Sequence, residues 1–411
     1  MAFRFPGRWP EGDAGLNPLS EALERVRASG KQVLDLTVSN PTKCGLQFPK
    51  GWEKLLGGGS DSSGIRIYDP DPQGHSVARA AIAAYYNERD NSGRDRRDAP
   101  AVDPVDLFLT AGTSEGYSHL FKLLCGPGGH ALIPRPSYPL LETLADLENV
   151  KLGTYALVPG EPAAHGGTPW KVDRRSLEAA LTKNTRILFV VQPNNPTGSL
   201  LDAEDTAWLL TVAEENDLAL VVDEVFADYT YGTAAARIHS EGPLVFTLNG
   251  LSKLIGLPQL KLAWIHVDGN ATDKEKAKRY LEWLCDAYLS VGTASQAACA
   301  ELLHRRAEFQ GPLRSRLEAN LATLRELADR HPELAVLWPQ GGWCVPMRGA
   351  GIIDDEAFAI QLLEAEGVHI HPGYFFDFAD FGEEDVIVLS LLPDPAVFRE
   401  GVTRLIRQLS N

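Results

Sequence analysis

The sequence predicts an α/β protein, with a mostly parallel sheet covered by helices on both faces and a second, smaller α+β domain. Three observations carry this expectation. From Val105 to Trp264, short and almost wholly apolar strands alternate with helical stretches. Strands apolar on both sides belong to parallel sheets that are buried on both faces. Long helical stretches follow at 272–290, 293–309 and 311–330, and the chain then returns to short strands and helices. The expected division is an N-terminal arm and part of the small domain over 1–45, a large domain over 46–290, and a small C-terminal domain over 291–411.

In chain order, residues 1–15 form an irregular arm rich in Gly, Pro and aromatics. Asn17 to Ser29 reads as a helix, because Asn17 can cap it, Pro18 suits the first helical position, and Leu19, Leu23 and Val26 share a face. Val33 to Val38 alternates like a strand and runs into the turn Ser39-Asn40-Pro41-Thr42. A Gly/Ser stretch at 57–64 precedes Tyr68-Asp69-Pro70-Asp71-Pro72-Gln73-Gly74, a helix from about Ser76 to Glu88, and a polar loop over 89–104. Strands are then expected at 107–110, 131–133, 187–191, 218–222, 245–248 and 262–265, with helices near 115–124, 139–148 and 203–216. The C-terminal segment offers strands near 335–337, 343–347, 368–370 and 386–390, and helices at 354–366 and 395–409.

Bulk properties exclude several classes of function. The net charge of −16, from 39 basic and 55 acidic residues, disfavours nucleic acid and anionic membranes as partners. The run Arg94-Asp95-Arg96-Arg97-Asp98 is interrupted by acids and reads as a solvated face. Cys44, Cys125, Cys285, Cys299 and Cys344 show no CxxC spacing, which argues against a disulfide framework and against a structural zinc site, so no metal is expected. The first residues lack the apolar segment of a signal peptide, and no apolar run approaches the ~18 residues needed to span a membrane. A soluble, cytoplasmic protein is expected.

Candidate site residues fall at the ends of successive strands, where open α/β sheets gather ligands. Gly112-Thr113-Ser114-Glu115 opens a helix, and its free backbone N–H groups with two hydroxyls suit a phosphate; simple N-capping is the plain alternative. Tyr138, in Pro136-Ser137-Tyr138-Pro139, can offer a flat face to a heterocycle, although turn tyrosines more often pack on their own domain. Asn195, in Asn194-Asn195-Pro196-Thr197-Gly198, can donate to a phenolate oxygen, although many Asn-Pro pairs merely start turns. Asp223 ends a very apolar strand, so its carboxylate needs a positive partner: a protonated ring nitrogen, or a neighbouring Lys or Arg. Lys253 lies in the small-residue turn Leu251-Ser252-Lys253-Leu254-Ile255-Gly256-Leu257-Pro258, 30 residues after Asp223. A lysine so placed is either a solvated loop charge or a reactive amine able to condense with an aldehyde and then to move a proton.

These motifs in this order resemble the class I/II aminotransferases that depend on pyridoxal 5′-phosphate, the fold-type-I, aspartate aminotransferase-like superfamily. The resemblance spans nearly all of the chain and includes Tyr68…Gly74, Gly341-Gly342 and Pro372-Gly373. It implies a seven-stranded type of sheet and a transfer of an amino group from an amino acid or amine to a 2-oxo acid. It implies that Lys253 forms the Schiff base and moves the proton that creates the quinonoid intermediate. It further implies that Asp223 pairs with the ring nitrogen, Asn195 binds the ring oxygen and Tyr138 stacks on the ring. Thr113, Ser114, Ser252 and Lys261 then surround the phosphate, Tyr68 reaches the phosphate of a neighbouring subunit in a homodimer with shared sites, and Ser39 and Asn40 lie over the substrate.

Four positions depart from the family pattern. Phe226 stands where a tyrosine usually bonds the ring oxygen, with Tyr229 as a possible stand-in. Lys261 replaces an arginine and keeps its charge but not its fork. Gly250 replaces a serine. Val388 stands where an arginine usually holds the substrate's α-carboxylate. Arg348, Lys43 and Arg66 are the candidate replacements; if none reaches, the substrate is an amine without an α-carboxylate. The alternatives are a lyase of the same fold, such as a C–S β-lyase or an aminocyclopropane-carboxylate-synthase-like enzyme, and a non-catalytic cofactor-binding regulatory module.

Overall fold

A computed structural model describes residues 17–57, 64–92, 100–161, 167–232, 234–289, 291–349, 352–378 and 385–410. The expected arm over 1–15, most of the Gly/Ser stretch and the Arg94–Asp98 run lie outside the described residues. The strands, in chain order, are β1 (Leu34–Asp35), β2 (Leu107–Thr110), β3 (His130–Arg135), β4 (Lys151–Pro159), β5 (Trp170–Val172), β6 (Thr185–Val191), β7 (Ala219–Asp223), β8 (Val245–Gly250), β9 (Ala263–Asp268), β10 (Leu334–Val336), β11 (Cys344–Gly349), β12 (Val368–His369), β13 (His371–Pro372) and β14 (Val386–Ser390). The helices are α1 (Pro18–Ala28), α2 (Ser76–Ser92), α3 (Thr113–Leu124), α4 (Leu140–Leu147), α5 (Arg174–Ala180), α6 (Ala203–Glu215), α7 (Leu251–Leu254), α8 (Ala271–Tyr288), α9 (Thr293–His304), α10 (Ala307–Ala328), α11 (Asp355–Glu366) and α12 (Pro395–Leu409).

The large sheet has the order β2-β9-β8-β7-β6-β3-β4-β5. Its centre, from β4 through β3, β6 and β7 to β8, is parallel; β9, β2 and β5 run antiparallel to their neighbours. The mixed α/β class expected from the sequence is therefore the observed one, with eight strands among the described residues rather than seven. The sequence reading missed β4 and β5. The first contains Gly153 and is only partly buried, and the second is three residues long, so neither shows the continuous apolar run of the central strands.

Both faces of the sheet are dry. Phe108, Phe189 and Phe246 pack on one side, under α3 with its Phe121 and under α8. Leu132, Val190, Leu220 and Val222 pack on the other, where Phe376 and Val388 join them. Each such side chain removed from water contributes roughly 1.5–3 kcal/mol. The second sheet, β10-β11-β14-β13, is antiparallel throughout, and β1 pairs in parallel with β12, so the N-terminal segment packs with the C-terminal one. Asn17 caps α1 through its side chain, accepting from the Ser20 N–H at 2.7 Å, with Pro18 at the first turn. No helix among the described residues is long and apolar enough to cross a membrane.

The turn that carries Lys253 is held by its glycine. Gly256 has φ +67°, and a Cβ there would lie 2.3 Å from the buried Phe309 ring. Gly256→Ala is therefore expected to lower stability by about 2–4 kcal/mol, from backbone strain and overpacking together. A urea-unfolding midpoint equal to that of the parent protein would contradict this.

Candidate active site

Parallel pairing of β6, β7 and β8 aligns their carboxyl ends. Val191 lies opposite Asp223, and Asp223 opposite Leu248. A cavity of about 410 Å³ opens at this edge, a volume suited to a cofactor-sized ligand. Its floor comes from the large sheet and includes Thr113, Tyr117, Asn195, Asp223, Phe226 and Lys253. Its roof comes from the N-terminal segment and the second sheet, and includes Ser39, Trp343, Cys344, His371 and Ser390.

Asp223 is buried at the end of β7. Burial pushes its carboxyl above the ordinary value, and two hydrogen bonds oppose that rise: one from the Tyr117 hydroxyl and one from the Val225 N–H at 3.0 Å. A carboxylate held in this way seeks a cationic partner inside the cavity.

Lys253 sits in the single turn α7, directly after β8. Its ammonium lies 5.4 Å from the Trp343 ring centre and 5.8 Å from that of Phe226. Burial lowers its pKa, with Cys344 and Asp223 pulling the other way, so the neutral amine is more accessible than on an exposed lysine. The Tyr229 hydroxyl donates to the Lys253 and Leu254 carbonyls, each at 3.0 Å. Tyr229 therefore staples the lysine turn, and it does not replace the hydroxyl missing at Phe226.

The start of α3 has the character of an anion site. Gly112 provides no side-chain cap, and the Lys261 Nζ lies 3.3 Å from where a Gly112 Cβ would stand. Backbone N–H groups, the Thr113 and Ser114 hydroxyls and an ammonium thus meet at one helix terminus. At Gly250, a Cβ would approach the Ala263 Cβ to 2.7 Å, so the close pairing of β8 and β9 leaves no room for the serine usual at this position.

Of the residues singled out from the sequence, Thr113, Tyr138, Asn195, Asp223, Lys253 and Ser39 line one cavity. Ser114, Ser252 and Lys261 stand beside it through their chain neighbours and the Gly112 contact. Asn40, Tyr68 and Arg348 do not line it. Asn40 turns its side chain onto Thr42, accepting from that residue's N–H at 3.0 Å and hydroxyl at 2.7 Å. Tyr68 is 79% exposed and lines a different pocket, with Asp71 and Gln296.

Arg348 needs correction as a substrate anchor. It pairs with Val386, whereas the cavity residues Cys344 and Ser390 pair with each other. Four residues of strand, about 13 Å, separate the two levels. Lys43 and Arg66 are also absent from the lining.

The sequence reading missed Tyr117, Trp343, Cys344, His371 and Ser390. Tyr117 had a local signal, since it follows Thr113 by one helical turn and so shares its face. The others are brought over the site only by strand pairing in the second sheet.

The family model described as "Aminotransferase class I and II" matches residues 31–387. Mouse tyrosine aminotransferase is 25% identical over 381 residues, covering 89% of this chain and 80% of its own. The glutamate-pyruvate aminotransferase AlaA of Escherichia coli K12 is 27% identical over 375 residues, covering 88% and 87%. Among solved structures, alanine aminotransferase from Pyrococcus furiosus superposes with a TM-score of 0.85 at 20% identity, covering 99% of this chain and 100% of its own. An Escherichia coli aminotransferase gives 0.80 at 22% identity, covering 100% and 99%.

Proposed function

The chain belongs to the class I and II aminotransferase family, and from that premise we propose that the cavity around Lys253 binds pyridoxal 5′-phosphate and transfers an amino group from a primary amino donor to an oxo acceptor. The observation that carries this reading is that a half-buried amine and a buried carboxylate line one cavity, beside a helix terminus suited to an anion. The donor set fits the cofactor: an amine for its aldehyde, a carboxylate for its ring nitrogen, an amide for its ring oxygen, and N–H groups, hydroxyls and an ammonium for its phosphate. Bound there, the cofactor supplies an exchangeable aldehyde carbon and an electron-accepting ring.

The protein's own groups do the rest. Lys253 Nζ is the attachment point and, once released, takes a proton from the donor's carbon and returns one. Asp223 keeps the ring nitrogen protonated. Asn195 donates to the ring oxygen, and Tyr138, 53% exposed without a ligand, offers a face to the ring. Thr113, Ser114, Ser252 and Lys261 hold the phosphate. Tyr68 of the partner subunit completes that cradle in a homodimer with shared sites, which suits its exposure here. The free cysteines suit a reducing cytoplasm.

Relatives named as aminotransferases favour transamination over the lyase alternative. The test is a half-reaction with the reconstituted protein. A donor should bleach the cofactor's visible absorbance, and an oxo acceptor should restore it. Sustained ammonia release without acceptor would contradict the reading.

Tyr117 gives a pH prediction. Its hydroxyl stabilises the Asp223 anion, so Tyr117→Phe should raise the Asp223 pKa further. The acid limb of the kcat/KM profile should then move to higher pH. A limb in its original place would separate Tyr117 from the titration of Asp223.

A further inference from the structure

We infer that this enzyme takes primary amines that carry no α-carboxylate, with an apolar or aromatic body, and that Val388 sets this preference. The inference rests on the transaminase reading and concerns the roof of the same cavity.

The register of the second sheet fixes what the roof can offer. Ser390 pairs with Cys344, and one step along the same face Val388 lies between Pro346 and His371. Directly opposed residues of an antiparallel pair project to the same side. The Val388 side chain thus stands next to the His371 ring, is fully buried, and packs in the cluster that holds Phe376 and Phe378. At this level of the roof the strand therefore presents an apolar side chain and no charge.

Two polar residues of the roof, Ser390 and His371, are already engaged, while the buried Trp343 indole N–H is an uncharged donor without a partner among the described residues. Ser390 Oγ donates to the Val38 carbonyl at 2.6 Å, and the Ser390 N–H donates to Leu36 O at 2.7 Å. The His371 Nε2 meets the Thr37 carbonyl at 3.3 Å. A carbonyl only accepts, so Nε2 carries the proton and Nδ1 is an acceptor in the neutral ring. Burial, with His369 adding to it, pushes the His371 pKa down to about 4, so the ring is uncharged near neutrality. These contacts tie the segment Leu36–Ser39 across the cavity and leave it no donor of positive charge.

Among the described lining residues, only Lys253 and His371 can be cationic at all. The first is the attachment point, and the second is neutral. A carboxylate bound against Trp343, Phe375, Phe376 and Leu392 would lose its water without gaining a cationic partner, which is unfavourable. An apolar amine meets no such penalty.

The exchange balances without a further reagent. The amine R–CH2–NH2 and the cofactor aldehyde become the aldehyde R–CHO and the cofactor amine. The water released on condensation is consumed on hydrolysis, the donor carbon is oxidised by two electrons, and the cofactor carbon is reduced by two. The acceptor meets the same roof, so it too should be an aldehyde or ketone without an adjacent carboxylate.

The test uses the wild-type protein loaded with pyridoxal 5′-phosphate and two matched pairs: 2-phenylethylamine with phenylalanine, and tyramine with tyrosine. The amines should bleach the cofactor at least about tenfold faster at equal concentration than the corresponding amino acids. Phenylacetaldehyde should likewise restore the absorbance faster than phenylpyruvate, and calorimetry should show no binding of the unreactive 3-phenylpropanoate at millimolar concentration. Amino acids reacting as fast as the amines would overturn the inference and leave transamination standing. Silence from all four donors would overturn the transaminase reading and the inference with it. Val388→Arg, in protein that still binds the cofactor, should move the amine-to-amino-acid rate ratio at least about tenfold toward the amino acid. An unmoved ratio would remove Val388 as the determinant.

Discussion

Lys253→Ala is expected to lower turnover by at least about 10³-fold, within the range for loss of a positioned acid–base group. The expectation follows from where the amine lies. Its turn is fixed by Gly256 against Phe309 and stapled by the Tyr229 hydroxyl, and the ammonium is enclosed by Trp343 and Phe226. Burial favours its neutral form, which is the form that attacks a carbonyl and accepts a proton. Lys253→Arg should fail to a similar extent, because a guanidinium keeps the charge but does not deprotonate near neutrality. A small primary amine added to the alanine variant should restore part of the rate if proton transfer is the missing step. Steady-state rates for the three proteins check this, and turnover in Lys253→Ala within tenfold of wild type would end the assignment.

Asp223→Asn is expected to cost about 10²–10³-fold in turnover, the range seen when one preorganised electrostatic partner is removed. The same substitution should raise the stability of the cofactor-free protein at neutral pH. The sign follows from linkage. Folding raises the Asp223 pKa, so its unfavourable contribution is absent below the unfolded value and fully present once pH exceeds the folded one. Replacing the carboxylate by an amide of the same shape removes that contribution. A residue retained for structure would lose stability on substitution, whereas one retained for chemistry should lose rate and gain stability. Thermal unfolding beside turnover separates the two, and a fall in both would contradict the account.

Local chemistry explains which parts were legible in the sequence. The central strands β6, β7 and β8 are buried along their length and read as apolar runs. Their apolar pattern alone therefore assigns the groups that follow them, Asn195, Asp223 and Lys253, to one edge of the sheet. The partly buried β4 and the three-residue β5 gave no comparable signal. Thr113, Asn195, Asp223 and Lys253 of the floor were legible because each lies at the end of a different strand, β2, β6, β7 and β8. The roof was not, because His371, Cys344 and Ser390 meet only through the register of β11, β13 and β14. Arg348 illustrates the limit: its chemistry suited a carboxylate, but its pairing with Val386 puts it at the wrong end of the strand. Tyr229 had the right chemistry and neighbourhood, yet its hydroxyl is committed to backbone carbonyls.

The most direct test of the central claim is borohydride reduction of the protein reconstituted with pyridoxal 5′-phosphate, followed by peptide mapping by mass spectrometry. The account predicts a single pyridoxyl adduct on the peptide containing Lys253, and none in Lys253→Ala treated in the same way. An adduct on another lysine, or no adduct in protein that binds the cofactor, would contradict it.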